Sequence, residues 1–257
     1  MSYTTVGSHR VAAELRRCRQ AAGLSCQDVA ERLGMSVDKL ARLESGATGL
    51  RIADVAALLD LYHAPAAGEV LAVVRQCHRG TWWTRTEPRH WRSLRYLEAS
   101  AGRIRDYSAY FVPLLLRTAD YTRQLPSGDL VAQRARQAAF DRPGGPVLDA
   151  IVDDLAVEGL ANGDSVARAQ LEFLLAATER PNVTLRLVPR PVGVHGPFTI
   201  MGCPGDVDVV FTEQLTTAMY FQAGSSVAVY RAARNRLDAA ALSVEDTRDR
   251  LAALLHA

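Results

Sequence analysis

The chain has 257 residues, 48% of them apolar, and a mean hydropathy of -0.04, which suits two globular domains with a sizeable core. Thirty Lys and Arg face 28 Asp and Glu, a formal surplus of +2, so the chain as a whole is no polycation. It has no run of apolar residues long enough for a membrane span and no apolar signal-peptide centre within Met1 to Arg10. Cys18, Cys26, Cys77 and Cys203 are scattered, without C-x-x-C spacing or a close histidine pair, and read as reduced thiols. The cytoplasm is the expected compartment.

In chain order, residues 8–79 predict five short helices. Arg10 to Ala22 is amphipathic, with Val11, Leu15 and Cys18 on one face, and stops at Gly23. Ser25 caps the next helix, which opens at Cys26. Ala30 then puts a small side chain where two short helices approach, and Gly34 gives a left-handed turn at little cost. Ser36 caps a third helix, whose Leu40 and Leu43 face inward and which ends at Ser45-Gly46. A fourth runs from Arg51 to Tyr62 with Ile52, Val55, Leu58 and Leu59 as its buried stripe. Pro65 opens a fifth, reaching about Arg79. Together, in register, these features spell a helix-turn-helix, whose second helix can enter a DNA major groove.

Residues 80–180 read as helical. An aromatic and basic stretch from Trp82 and Trp83 to Trp91 precedes helices near 92–107, 129–140, 146–158 and 165–179, with Pro143-Gly144-Gly145 as a break. After 181 the period changes. Val183 to Val188, Phe198 to Met201, Asp208 to Thr212 and Ala218 to Phe221 are short β-like runs, which suggest a small, mostly antiparallel sheet. Helices near 224–239 and 243–255 follow, the second capped by Ser243. The expected fold is mainly α with a smaller α+β part. A DNA-binding domain covers 8–79, and an α+β sensing and dimerisation domain covers 80–257, helical to 180 and then a sheet plus two helices.

With Leu40 and Leu43 turned inward, Val37, Asp38 and Arg42 face the groove. Arg42 suits guanine O6 and N7, Asp38 a cytosine amino group, and Val37 a thymine methyl; Ser36 and Lys39 are placed for phosphate. Charge supports only modest affinity. Residues 1–80 hold 10 basic and 8 acidic side chains, while 81–180 and 181–257 balance at 13 against 13 and 7 against 7. Binding should therefore lean on dimerisation or a partner.

Arg19, Gly23-Leu24-Ser25, Ala30, Gly34 and Glu44-Ser45-Gly46 together resemble the Xre, phage-repressor-like, helix-turn-helix family over residues 10–62. That resemblance implies an N-terminal five-helix phage-repressor-like domain, an ion pair between Arg19 and Glu44, and a phosphate contact beside Ser25. Relatives carry Gln directly after Gly-Leu-Ser, where this chain has Cys26 and then Gln27. The loop Ala47-Thr48-Gly49-Leu50 also lacks basic residues, and both departures point to weak intrinsic DNA affinity. Further along, Leu97-Glu98-Ala99, Val112-Pro113-Leu114-Leu115-Leu116-Arg117-Thr118-Ala119-Asp120-Tyr121, Arg136-Gln137, Pro181-Asn182-Val183 and Ala241-Leu242-Ser243 resemble actinobacterial WhiJ-like regulators. Relatives usually read Val-Pro-Gly-Leu-Leu-Gln-Thr, so Leu114 and Arg117 depart from the pattern. This resemblance implies an antitoxin-like regulator with a small partner protein encoded nearby.

Other constellations favour plainer readings. His195, Cys203 and Glu213 hint at Cys-His chemistry, but no spacing fixes an acid–base partner, so no enzymatic activity is expected. Asp153, Asp154 and Glu158 suit a solvated helix face better than a metal site, and neither metal nor cofactor is expected. The tryptophans with Arg85, Arg89 and Arg92 favour a weld between domains over a stacking platform. The reading is a homodimeric regulator that binds a double-stranded operator. Its partner or ligand surface draws on Trp82, Trp83, Trp91, Phe111, Leu114, Arg117 and Phe198. The alternative is a ligand-sensing regulator with an apolar pocket near Trp82, Phe111 and Phe198.

Overall fold

The computed structural model describes residues 6–46, 50–77, 81–85, 91–125, 129–161, 163–189, 194, 196–203, 207–214 and 217–256. They form two compact units, Met1–Trp83 with Phe221–Ala223, and Thr84–Tyr220 with Gly224–Ala257.

The first unit is built on α1 (Val6–Ala21), α2 (Cys26–Leu33), α3 (Val37–Ser45), α4 (Ile52–Leu61) and α5 (Ala67–Cys77). Apolar residues at helical spacing meet in one core. Val11, Leu15 and Cys18 come from α1, Val29 from α2, Leu40 and Leu43 from α3, Val55, Leu58 and Leu59 from α4, and Val70, Val73 and Val74 from α5. Gly34 ends α2 at φ 61°, where a Cβ is strained, and its N–H donates back to the Ala30 and Glu31 carbonyls. Two boundaries differ from the sequence reading. Ile52 is 39% exposed because it opens α4, ahead of the stripe that faces the core. Pro65 lies in the turn before α5 rather than at the helix start.

The remaining elements are β1 (Thr81–Arg85), α6 (Trp91–Ser100), β2 (Arg103–Ser108), a 3₁₀ turn (Leu114–Leu116), α7 (Ala119–Gln124) and α8 (Leu130–Phe140). Then come β3 (Val147–Asp153), α9 (Asp154–Ala161), α10 (Ser165–Ala177), β4 (Val183–Val188), β5 (Phe198–Cys203), β6 (Val207–Glu213), β7 (Thr217–Phe221), α11 (Gly224–Ala240) and α12 (Val244–Leu255). The strands form one seven-stranded sheet in the order β1-β7-β6-β5-β2-β3-β4.

This sheet corrects the expectation of a small, mostly antiparallel one: it is larger and mixed. β2, β3 and β4 run parallel, joined by helical crossovers, while β5 and β6 pair antiparallel beside β2. Three strands are missing from the sequence reading, β1 at one edge and β2 and β3 inside the sheet. The helix expected over 92–107 ends at Ser100, and β2 follows. The helix expected over 146–158 is β3 and then α9. In β3, residues Ala150 to Asp153 are all buried, as in a strand covered on both faces, and such a run shows no alternation.

Buried ion pairs tie helices to this frame. Glu98 of α6 holds Arg136 of α8 at 2.8 Å, both nearly inaccessible. Arg234 of α11 is 1% exposed. Its guanidinium donates to the Asp149 carbonyl at 2.9 Å, the Asp149 carboxylate at 2.6 Å and the Asp106 carbonyl at 3.2 Å. A charge so deep is tolerated because its donors are met.

Candidate nucleic-acid interface

Two serines organise the first unit's exposed face. Ser25 Oγ accepts from the Asp28 N–H at 3.1 Å while the Ser25 N–H donates to Asp28 Oδ2 at 2.8 Å, a reciprocal capping box that starts α2. The Ser25 hydrogen bonds hold the Asp28 carboxyl below the usual carboxylate range. Ser36 Oγ accepts from the Lys39 N–H at 3.1 Å and starts α3. Both caps are exposed, as is Gln27 on the first turn of α2, whereas Cys26 is half-buried against the core.

On α3, Leu40 and Leu43 are sealed in the core, and Val37, Asp38, Ala41 and Arg42 turn to solvent, with Val37 at 45% exposure. This face offers one guanidinium, one carboxylate and one branched apolar side chain within six residues, 37–42. The set matches the groove chemistry of guanine, cytosine and thymine edges. Lys39, expected to contact phosphate, also has a partner within the unit. Its Nζ donates to Asp54 Oδ1 at 3.0 Å, and Asp54 also takes Arg51 Nε at 2.9 Å. The ammonium thus ties α3 to α4 and is already partly neutralised. Burial alone would raise the Asp54 carboxyl, but the Arg51 and Lys39 hydrogen bonds outweigh it and hold it low.

Behind the face, Arg19 of α1 and Glu44 of α3 join their two helices. Arg19 Nε and Nη2 fork onto the two Glu44 oxygens at 2.8 and 2.9 Å, and Arg19 Nη1 donates to the Leu24 carbonyl at 2.8 Å. Glu44 keeps only 3% side-chain exposure and Arg19 13%. The Glu44 hydrogen bond raises the Arg19 guanidinium further above its ordinary value. Nearby, burial raises the Tyr62 phenol, whose hydroxyl finds no hydrogen-bond partner within the described residues.

In the second unit the structure scatters the residues expected to form a partner or ligand surface. Phe111 is 48% exposed, beside Tyr110 at 67%. Phe198 is a core residue instead, 3% exposed, with Tyr107 and Tyr230 rings 5.8 and 5.2 Å away. Among the described residues Phe111 is thus a surface side chain and Phe198 a core one. Arg117 turns inward, donating to the Val112 carbonyl at 2.7 Å, and burial lowers its guanidinium. Leu114 is half-buried in the same turn. That turn is clamped by glutamines: Gln133 and Gln137 donate to the Arg117 carbonyl at 2.7 and 2.9 Å, and Gln170 to the Leu116 carbonyl at 2.8 Å. The side chains of Trp82, Trp83 and Trp91 lie outside the described residues.

The weaker constellations resolve into scaffold. Asp154 and Glu158 both take Arg250, with Arg250 Nη2 2.9 Å from Asp154 Oδ2, which joins α9 to α12; Asp153 Oδ1 accepts the Leu155 N–H at 3.0 Å. Cys203 registers with Val207, and Glu213 lies six residues further along β6, about 20 Å at strand rise. Those two cannot share one reaction centre. Burial pushes the Cys203 thiol up to about 11. His195 lies outside the described residues.

Residues 10–73 match the model of a family described as a helix-turn-helix domain, and residues 91–253 match one described as a domain of unknown function, DUF5753. No curated protein matches the chain. Among solved structures it is similar to TrmBL2, described as an archaeal chromatin protein with a novel mode of DNA binding. The identity is 10% and the TM-score 0.37, over 86% of this chain and 88% of that one. The chain carries a helix-turn-helix domain ahead of its larger domain. No helix among the described residues is long and apolar enough to cross a membrane.

Proposed function

The chain belongs to the DUF5753 family, and we propose that it is a sequence-specific, homodimeric transcriptional regulator of the Xre type acting in the cytoplasm. Its larger domain binds a small partner protein in an antitoxin-like arrangement. The observation that carries the DNA-reading part is the outward face of α3. Val37, Asp38 and Arg42 stand exposed there on a helix fixed by its Ser36 cap and by the Arg19–Glu44 fork. A helix held that firmly presents base-reading groups with little entropy left to lose. The exposed Tyr110 and Phe111 pair is the surface best suited to a protein partner.

The test is duplex binding by the full-length chain. Arg42→Ala should cost about 1–3 kcal/mol on the specific site and relax discrimination at one base position. Ser36→Ala should weaken all duplexes more evenly. Equal loss on specific and random duplex for Arg42→Ala removes that residue from base reading. A second reading, small-molecule sensing by the larger domain, draws support from the arginine-lined depression where β2 begins and β5 ends.

A further inference from the structure

Where β2 begins and β5 ends, an open depression of about 490 Å³ is lined by Gly102, Arg103, Arg105, Gly202, Cys203, Asp208 and Arg231. Strand register explains why these residues meet. Arg103 and Arg105 are two apart on β2, so both side chains leave the same face of the sheet. Arg103 registers with Gly202, and Gly202 with Asp208. Arg231 of α11 reaches the end of that row, its Nε 2.7 Å from Asp208 Oδ2. Gly202, in the middle, puts no side chain into the space; a Cβ there would make ordinary contact with Asp208 Oδ1 at 3.6 Å.

The charges do not cancel. Asp208 answers Arg231. Asp149, the strand neighbour of Arg105, is already held by Arg234 at 2.6 Å and Arg186 at 3.2 Å. Among the described residues no carboxylate pairs with Arg103 or Arg105, so two guanidiniums line the depression uncompensated. Their planar donor forks match phosphate oxygens, and two of them balance a dianion. The volume exceeds what a bare anion needs and lies in the range of small-molecule sites.

We propose that this depression binds a small molecule bearing a terminal phosphate monoester, gripped by Arg103 and Arg105. The site belongs to the second unit and the DNA-reading face to the first, and the proposal does not rest on that face. The test is calorimetric titration of the full-length chain with inorganic phosphate, adenosine 5′-monophosphate, ribose 5-phosphate, adenosine and succinate. Both phosphate monoesters bind and adenosine does not. Arg103→Ala and Arg105→Ala each weaken binding about tenfold or more, equivalent to 1.4 kcal/mol. Arg95→Ala and Arg42→Ala, at exposed arginines elsewhere, leave it unchanged, which separates this site from the DNA face. Arg103 is exposed, so Arg103→Ala carries the test even where Arg105→Ala perturbs folding. Three results overturn the proposal: no binding of any phosphate at millimolar concentration, undiminished binding in Arg103→Ala, or succinate binding more tightly than the monoesters.

Discussion

Glu44→Ala strands Arg19. In the intact chain the Arg19 fork makes two hydrogen bonds to Glu44, whose side chain is 3% exposed against 13% for Arg19. Removing one member of a fully buried pair costs about 3–5 kcal/mol, because the other charge stays desolvated without its partner. Two features pull this case towards the lower end. Arg19 retains some solvent access, and its Nη1 keeps the Leu24 carbonyl at 2.8 Å. The expected loss is about 3 kcal/mol, and at roughly 4–8 °C per kcal/mol for a small domain the first unit should melt more than about 10 °C lower. Hydrogen exchange along α1 to α4 in the full-length chain reads this without interference from the larger domain. Glu14→Ala, which breaks an exposed pair with Arg17 on the same helix, serves as the control and should change little. Arg19→Met with Glu44→Leu should recover much of the loss, since an apolar pair carries no desolvation cost. Unchanged protection in Glu44→Ala would show that the fork contributes nothing to the stability of the first unit.

Dimerisation is expected to reside after residue 80. Sedimentation at micromolar concentration should give the full chain about twice its 28.0 kDa mass, while a 1–80 fragment stays monomeric; a monomeric full chain that still binds one half-site tightly contradicts this. Acid should loosen the α3–α4 tie. Asp54 is held below the ordinary carboxylate range, so its stabilisation is complete above that range and disappears as pH falls through the lowered value. Asp54→Asn should therefore show a shallower acid loss of melting temperature than the parent chain, and identical acid profiles would remove Asp54 from the tie. Ser36→Ala should cost about 1 kcal/mol in α3 through loss of its cap, seen as faster exchange in its first turn; unaltered exchange there means the cap is dispensable.

The sequence exposed the first unit well because its signals are local. Ser25, Ser36, Gly34 and Gly46 each act within one turn of their own helix, the serines starting α2 and α3 and the glycines ending them. The inward face of α3 was equally legible, since Leu40 and Leu43 repeat at helical spacing. The centre of the larger domain was not. Arg103-Ile104-Arg105-Asp106 reads as a charged helix surface, yet its charges sit at one end of a central strand. β3 lacks alternation because helices and neighbouring strands bury most of it. The inward turn of Arg117 depends on Gln133, 16 residues away, and on Gln170, which grips the adjoining Leu116 carbonyl from 54 residues away. Nothing in local pattern announces such clamps. Arg234 is the extreme case, a buried arginine on a helix whose neighbours look solvent-facing.

Selection of bound duplexes from a random pool by the full-length chain separates sequence reading by α3 from non-specific binding. The account predicts one enriched, two-fold-symmetric motif whose half-sites lie about one helical turn apart, ~10 base pairs, and loss of one conserved position per half-site when Arg42→Ala repeats the selection. A pool that shows no enriched motif, or an unchanged motif with Arg42→Ala, would contradict sequence reading by the α3 face.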